Sequence, residues 1–188
     1  MNKVLVVVDA QEDFTRGALR NEEAIKALPV IHDIVDFASY HFEHRVIYTQ
    51  DTHYKLTYLE SLEGRNLPIK HCIYESKGWQ LCPEVLPKQH RSYICQLKRT
   101  FGHSEWDKMN DLHEADEIWL CGFCTDICVS ANLQILKATY PETPIIVIED
   151  ACAGVTPELH EAALKVMKSC QARIVKWEDL KKENEHEV

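Results

Sequence analysis

Short apolar runs alternate along the chain with stretches whose apolar residues recur at helical spacing. The short runs are rich in β-branched residues, as is typical of strands buried on both faces of a parallel sheet. They span residues 3–9, 45–51, 92–98, 117–123, 144–150 and 172–177. Helical spacing spans residues 23–41, 104–114, 125–139 and 157–170.

Capping residues refine these helices. Ser104 and Thr156 precede two of them and are expected to cap them, and Pro157 suits a first helical position. Pro29 is expected to start or kink the first helix, because proline cannot donate to the preceding turn.

Strands that alternate with helices predict one α/β domain with three layers, α/β/α, around a central, mostly parallel six-stranded sheet. The chain has 188 residues, 45% hydrophobic and 27% charged, which suits one domain with a full core. We place this domain at residues 1–180 and expect 181–188 to be a charged, frayed tail.

Composition excludes several classes of partner. Thirty acidic and 21 basic residues give a formal net charge of -9, which disfavours nucleic acid and anionic membranes. No apolar run is long enough to cross a bilayer, and the N-terminus does not resemble a signal peptide. We therefore expect a cytoplasmic protein whose eight cysteines are reduced thiols.

The carboxyl ends of the predicted strands carry the candidate chemistry, because ligands of parallel α/β sheets bind at that edge. The residues at these ends are Asp9, Asp51, Lys98, Phe123 and Asp150, and Cys128 follows the fourth strand in the first turn of a helix. An acid, a lysine and a cysteine can therefore meet there.

Asp9, Lys98 and Cys128 suit nucleophilic catalysis. A nearby ammonium and a helix N-terminus both favour the reactive thiolate, and a carboxylate can move the thiol proton to a leaving group. The alternative is structural, since a strand-end aspartate is often a cap or turn residue and a buried cysteine is often inert.

The stretch "CGFCTDICVS" holds Cys121, Cys124 and Cys128. These cysteines could form a metal site or a redox pair, or one of them could be a single reactive thiol. A zinc finger needs a second ligand pair, and none lies nearby. Cys121 and Cys124 have the spacing of a redox pair but lack its position at a helix start. One reactive thiol at Cys128 is the favoured interpretation.

A second group of residues lies in the irregular segment 52–90. Asp51, His53 and the later His71 could bind Zn²⁺, Fe²⁺ or Mn²⁺, with Glu60 or Glu63 as a fourth ligand. The alternative is an ordinary polar loop, since the chain has ten histidines.

Three sequence elements resemble the isochorismatase-like cysteine hydrolase superfamily. They are "DAQEDF" near the N-terminus, "LKRTFGHS" after the third strand and "CGFCTDICV" after the fourth, and the resemblance extends over residues 3–177. It implies that Asp9, Lys98 and Cys128 are the catalytic triad.

The resemblance implies further site residues. The peptide bond between Phe123 and Cys124 should be cis, and the backbone N–H groups of Cys124 and Cys128 should form an oxyanion hole. Nicotinamidases of this superfamily carry their metal ligands at the positions of Asp51, His53 and His71.

These features predict a nicotinamidase-like cysteine amidohydrolase that converts a small amide to its acid and ammonia through a thioester. Phe14 and Trp79 are candidate substrate-binding residues, although Trp79 could equally serve packing. The segment between His53 and His71 departs from the nicotinamidase pattern, so a vinyl ether or carbamoyl substrate is an alternative. A non-catalytic binding protein is a third. We also expect a homo-oligomer.

Overall fold

The computed structural model describes residues 2–42, 45–87 and 93–185. Within them, six strands form one parallel sheet in the order β3-β2-β1-β4-β5-β6. The strands are β1 Lys3–Val8, β2 Val46–Asp51, β3 Ile94–Lys98, β4 Glu117–Phe123, β5 Ile145–Ala153 and β6 Arg173–Val175.

Four long helices and three short ones connect or follow these strands in the described part of the chain. The long ones are α2 Glu22–His41, α5 Ser130–Thr139, α6 Pro157–Ser169 and α7 Trp177–Asn184. The short ones are α1 Glu12–Thr15, α3 Leu62–Asn66 and α4 Asn110–His113. None of these helices is both long and apolar enough to cross a membrane.

The strand order reverses between β1 and β4, which places a crevice at the carboxyl ends of these two strands. Crossovers between parallel strands are as a rule right-handed, so crossovers that run in opposite directions from this point place helices on both faces of the sheet. Gly122 of β4 pairs with Val8 of β1, and a side chain at Gly122 would collide with the Val8 backbone. The predicted three-layer α/β/α fold is confirmed.

The fifth strand differs from its prediction at its carboxyl end. The prediction ended it at Asp150, but β5 continues to Ala153 because Cys152 and Ala153 still pair with Gly122 and Phe123 of β4. Asp150 therefore does not end a strand, and its carboxylate accepts a hydrogen bond from the backbone N–H of Trp177. The predicted start of the third strand, Ser92, lies outside the described residues.

The predicted helix at 104–114 is wrong in its start, and Pro29 does not start the first helix, although that helix covers the predicted residues. The segment 104–114 forms a 3₁₀ turn, Trp106–Lys108, and then the short α4, and Ser104 caps neither. Tertiary contacts decide this, because Trp106 is fully buried and its indole donates to Asn132 Oδ1. Pro29 lies inside α2, which begins seven residues earlier under the cap of Asn21.

The C-terminal segment is more ordered than its charge suggests. Residues 181–184, predicted to be frayed, belong to α7, which begins at Trp177 where the prediction extended β6. Leu180 and Asn184 are buried, and Asn184 Oδ1 accepts a hydrogen bond from Lys3 Nζ. The helix thus closes over the start of β1.

Candidate active site

Three side chains converge at the carboxyl edge of the sheet, and we call Asp9, Lys98 and Cys128 the triad. Asp9 directly follows β1, Lys98 is the last residue of β3, and Cys128 lies in the π-helical turn Thr125–Val129 after β4. Lys98 Nζ lies 2.6 Å from Asp9 Oδ2 and 3.5 Å from Cys128 Sγ. The structure thus brings the three predicted residues together.

The backbone at the end of β1 fixes Asp9. This residue has a left-handed φ of 49°, which aspartate tolerates better than most residues. Thr49 Oγ1 donates to Asp9 Oδ1 at 2.6 Å, and the Asp9 N–H donates to the Thr49 carbonyl at 3.2 Å. Oδ2 remains for Lys98, so each carboxylate oxygen has a defined partner.

Burial controls the charges of the triad. Burial raises the pKa of Asp9, and the opposing attraction of Lys98 compensates only in part. Burial would lower the pKa of Lys98, but the charges of Asp9, Cys128 and Asp51 outweigh it and raise that pKa well above its usual range. The lysine is therefore a permanent ammonium between acidic groups.

Burial also raises the pKa of the Cys128 thiol, although Lys98 acts in the opposite direction. Asp9 already neutralises the ammonium, so a thiolate would add an uncompensated charge to a buried site. Lys98 thus favours the thiolate, as expected from the sequence, but the cost of burial outweighs its effect in the free enzyme. The thiol is protonated beside a carboxylate that can accept its proton.

A second group, which we call the ligand cluster, consists of Asp51, His53, Glu63 and His71. One potential ligand atom from each of these residues lies within 4.8 Å of all the others. His53 Nε2 is 3.0 Å from Asp51 Oδ2, and His71 Nε2 is 3.4 Å from Glu63 Oε1. Of the two glutamates left open by the sequence, the structure places Glu63 in the cluster.

Local hydrogen bonds orient the members of the ligand cluster. His71 Nδ1 donates to the Ile69 carbonyl at 2.8 Å, which leaves Nε2 free to bind a cation. Gln11 holds the backbone of Asp51 from both sides, because its Oε1 accepts from the Asp51 N–H and its Nε2 donates to the Asp51 carbonyl. The ring of His71 and the backbone of Asp51 are therefore held in place.

The charges of the ligand cluster suit a divalent cation. Burial lowers the pKa of both imidazoles, but the facing carboxylates outweigh it and raise the pKa of His53 to about 9 and of His71 to about 10. Burial raises the pKa of Glu63, but hydrogen bonds from both imidazoles outweigh it and lower that pKa to about 2. Two carboxylates and two imidazole nitrogens are a donor set that Zn²⁺, Fe²⁺ or Mn²⁺ accepts.

One cavity of about 860 Å³ connects the two groups, and we call it the main cavity. Cys128 lines it together with Asp51, Glu63 and His71, while Lys98 Nζ lies 3.6 Å from Asp51 Oδ1 behind the wall. A substrate in this cavity can therefore contact the thiol and a bound cation at the same time.

The two aromatic candidates differ in position. Phe14 lines the main cavity, and its ring packs edge-on against His71 with centroids 6.2 Å apart. Trp79 is absent from the lining of this cavity, and its indole donates to Thr52 Oγ1 at 2.9 Å. The packing role that the sequence allowed for Trp79 is the one that its contacts support.

A family model for the isochorismatase domain matches residues 3–179 of the chain. The chain belongs to the isochorismatase family. Within this family it lies near the nicotinamidase branch, as the sequence motifs predicted.

Three relatives of this family member show how far the similarity extends. The nicotinamidase of Escherichia coli K12 is 26% identical, with 94% of this chain and 97% of that protein covered. The pyrazinamidase of Pyrococcus horikoshii, solved in complex with zinc, is 26% identical with a TM-score of 0.77, covering 94% and 99%. The N-carbamoylsarcosine amidase of Thermoplasma acidophilum is also 26% identical, with a TM-score of 0.74, covering 94% and 97%. The sequence-based prediction of a hydrolase acting on amide C–N bonds is confirmed.

The turn after β4 agrees with the family pattern. The peptide bond between Phe123 and Cys124 is cis, as predicted. Cys124 is half-buried and lines the main cavity, whereas Cys121 is fully buried within β4. A redox pair needs an accessible thiol, and Cys121 is fully buried inside the strand, so the position of Cys121 does not support the redox-pair alternative.

Sequence reasoning missed three residues that support the site: Gln11, Asp13 and Thr49. Gln11 and Asp13 belong to the quoted element "DAQEDF", and their spacing of two and four residues from Asp9 was the available signal. Thr49 lies inside a buried strand, and threonine is common in strands, so nothing in the sequence marks it as a site residue. All three act through backbone or side-chain hydrogen bonds that only the folded chain reveals.

Proposed function

We propose that this hydrolase converts a small aromatic carboxamide such as nicotinamide to the carboxylate and ammonia, through a thioester on Cys128. The observation that carries the proposal is the main cavity, where the Cys128 thiol and the ligand cluster face one space. Separate groups can therefore anchor the ring and attack the amide.

The first half-reaction forms the thioester. Asp9 accepts the proton of Cys128, and the sulfur attacks the carbonyl carbon of the amide. The C–N bond then breaks, and the amine takes the proton from Asp9 and leaves as ammonia. The raised pKa of Asp9 suits both proton transfers. It differs less from the pKa values of the thiol and the amine than the pKa of an ordinary carboxyl group does.

The oxyanion of the tetrahedral intermediate needs donors at the same place. We assign this role to the backbone N–H groups of Cys124, which directly precedes the turn Thr125–Val129, and of Cys128 within that turn. Lys98 stays protonated throughout and balances whichever neighbour, Asp9 or Cys128, carries the negative charge.

The second half-reaction releases the acid. Asp9 accepts a proton from water, whose oxygen attacks the thioester carbonyl, and the C–S bond breaks. The thiolate of Cys128 recovers its proton from Asp9, and the product acid loses its carboxyl proton to solvent and leaves as a carboxylate. Asp9 thus acts in turn as base and acid, and no further titratable group is required.

Asp51, His53, Glu63 and His71 would hold a divalent metal, for which we propose Zn²⁺, with Fe²⁺ or Mn²⁺ as alternatives. When bound, the ion would supply a Lewis acid that anchors a ring nitrogen and can bind water. The donor set of two imidazoles and two carboxylates supports this assignment.

The wall of the main cavity suits a flat, largely apolar ring. Its apolar members include Phe14, Leu19, Leu67, Phe101 and Ile127. Phe14 lies next to His71, so a ring that reaches the ligand cluster would contact the phenyl group. We therefore assign substrate binding to Phe14.

A carbamoyl amide is the second candidate substrate. The N-carbamoylsarcosine amidase is as similar in sequence as the pyrazinamidase, so the identity of 26% does not separate them. The same thiol chemistry would cleave a carbamoyl C–N bond. The ligand cluster favours the aromatic amide, because a carbamoyl group offers no ring nitrogen to a cation.

We propose the cytoplasm as the location, because all eight cysteines are free, as in a reducing compartment. With nicotinamide as substrate, the reaction belongs to NAD metabolism. We also propose that residues 1–180 act as one domain and that the enzyme is a homo-oligomer.

An ammonia-release assay tests the function. The purified protein, supplemented with Zn²⁺, Fe²⁺ or Mn²⁺ in turn, would be mixed with nicotinamide, pyrazinamide, benzamide and N-carbamoyl amino acids. We expect the pyridine and pyrazine amides to be hydrolysed best, since benzamide lacks the ring nitrogen. Preference for the carbamoyl substrates would favour the second candidate, and absence of ammonia from every amide would contradict both.

A further inference from the structure

Asp13 is a buried carboxylate outside both the triad and the ligand cluster. Its two oxygens accept hydrogen bonds from two separate segments of the chain. Oδ2 accepts from the backbone N–H of Cys72 at 2.6 Å, and Oδ1 accepts from the backbone N–H of Ala18 at 2.9 Å. Both segments contribute to the wall of the main cavity, through His71 and through residues 17–19.

The hydrogen bond to Cys72 fixes the backbone beside a member of the ligand cluster. Cys72 directly follows His71 and has a left-handed φ of 45°, which side chains rarely adopt. Its N–H is held by Asp13, and its carbonyl accepts from the backbone N–H of His53 at 2.9 Å. One residue therefore links Asp13 to the backbones of both imidazole-bearing residues.

The surroundings of Asp13 are built closely around the carboxylate. A side chain at Gly17 or at Gly78 would collide with its atoms. The N–H of Asp13 also donates to the Gly78 carbonyl at 2.9 Å. The carboxylate therefore has little freedom to move, and its position fixes the position of the Cys72 backbone through their hydrogen bond.

We infer that Asp13 is a positioning residue for the metal site: it sets the place of His71 relative to His53 and thereby the affinity of the ligand cluster for a divalent cation. This inference rests on the metal-binding role in the proposed function. The role needs a carboxylate, because two backbone N–H donors face its two oxygens. An asparagine would offer one acceptor and would direct an N–H₂ group at the other donor.

The test uses Co²⁺, whose visible absorption reports the number and kind of its ligands. Titration of the metal-free protein should give Asp13→Asn a Kd about 10–100-fold higher than the unchanged protein, as for other groups that orient metal ligands. The spectrum of the cobalt form should shift towards that of His71→Ala. A merely structural role for Asp13 would lower thermal stability and leave the spectrum unchanged.

Asp126→Asn is the matched control, because Asp126 Oδ1 likewise accepts from a backbone N–H, that of Val155, at 2.9 Å on another part of the cavity wall. Its Kd for Co²⁺ should stay within about twofold, since it touches neither imidazole segment. Gly78→Ala provides a second route if Asp13→Asn does not fold, because its methyl group displaces the same carboxylate. It should also weaken Co²⁺ binding.

Wild-type affinity and spectrum in Asp13→Asn, or in Gly78→Ala where only that variant folds, would overturn the inference and leave the proposed function intact. Failure of the unchanged protein to bind Co²⁺ would overturn the metal role in the proposed function, and the inference with it.

Discussion

The triad and the ligand cluster lie side by side, but the chain builds them in different ways. The triad residues follow or end regular elements of the sheet, so the strand order alone brings them together. In the ligand cluster, Glu63 and His71 come from the irregular segment between β2 and β3. Their places depend on individual hydrogen bonds, such as those of Ile69 and Asp13.

Because of this difference, substitutions in the two groups should have different effects. The position of the triad is coupled to the core of the sheet, so damage to it should appear in stability as well as in catalysis. The position of the ligand cluster depends on local contacts, so damage to it should appear in cation affinity and substrate binding. Asp51 is the exception, because it ends β2 and lies near both Lys98 and the two imidazoles.

The largest effect is expected from removal of the thiol. Cys128→Ala should lower kcat by at least about 10³-fold, because it removes the thiol that lies beside Asp9 and Lys98. Metal content and the Kd for substrate should change little, since the ligand cluster does not contact the sulfur. Ammonia assays quenched at fixed times would measure kcat, and metal analysis would measure the metal content. Residual turnover within tenfold of the unchanged enzyme would show that Cys128 is not the nucleophile.

The next effect concerns stability. Lys98→Met should lower the free energy of unfolding by about 3–5 kcal/mol, because Asp9 would remain buried without its ammonium. Urea denaturation at pH 7 would measure it. Lys26→Met is the matched control, since its pair with Glu23 lies on the surface, and its stability should be unchanged. Equal free energies of unfolding for the two variants would show that the triad is not coupled to the core of the sheet.

A smaller effect is expected from the ligand cluster. His53→Ala should weaken Zn²⁺ binding by about 10–100-fold or more and raise KM for nicotinamide. The unfolding free energy of the metal-free protein should change much less than in Lys98→Met. Alkylation of Cys128 by iodoacetamide should proceed at the unchanged rate. If the rate of Cys128 alkylation fell by the same factor as the affinity for Zn²⁺, the two groups would be one coupled site.

The smallest change is expected from a shift of a single pH unit. Because burial raises the pKa of the Cys128 thiol, the reactive thiolate is scarce at neutral pH and becomes more abundant as pH rises. The rate of alkylation should therefore rise about tenfold per pH unit from pH 6.5 to 8.5. Peptide mapping by mass spectrometry would isolate this residue from the exposed Cys95. A plateau near neutral pH would contradict a raised pKa.

The contrast also explains which features the sequence could predict. Asp9, Lys98 and Cys128 follow from strand patterns, because parallel strands end at a common edge of the sheet. The choice between Glu60 and Glu63 could not be made from spacing. It depends on α3, whose first turn is capped by Ser61 and packs closely on the Tyr58 carbonyl.

Other failures of prediction have the same origin in tertiary contacts. Asn184 looks like part of a charged tail, yet the side chain of Lys3 binds it in the fold. The sequence-based expectation for Cys128 included the effects of Lys98 and the helix start, which favour the thiolate, but not the cost of burial beside Asp9. Local patterns report which residues share an edge, whereas burial and cross-chain hydrogen bonds appear only after folding.

The most direct test of the central claim is detection of the acyl-enzyme. The metal-loaded protein would be mixed with nicotinamide, quenched in acid within the first turnover, digested and analysed by mass spectrometry. We expect a pyridinecarbonyl group on the peptide that contains Cys128, with none on Cys124 and none in Cys128→Ala. Ammonia release without an adduct at Cys128, undiminished in Cys128→Ala, would contradict the account.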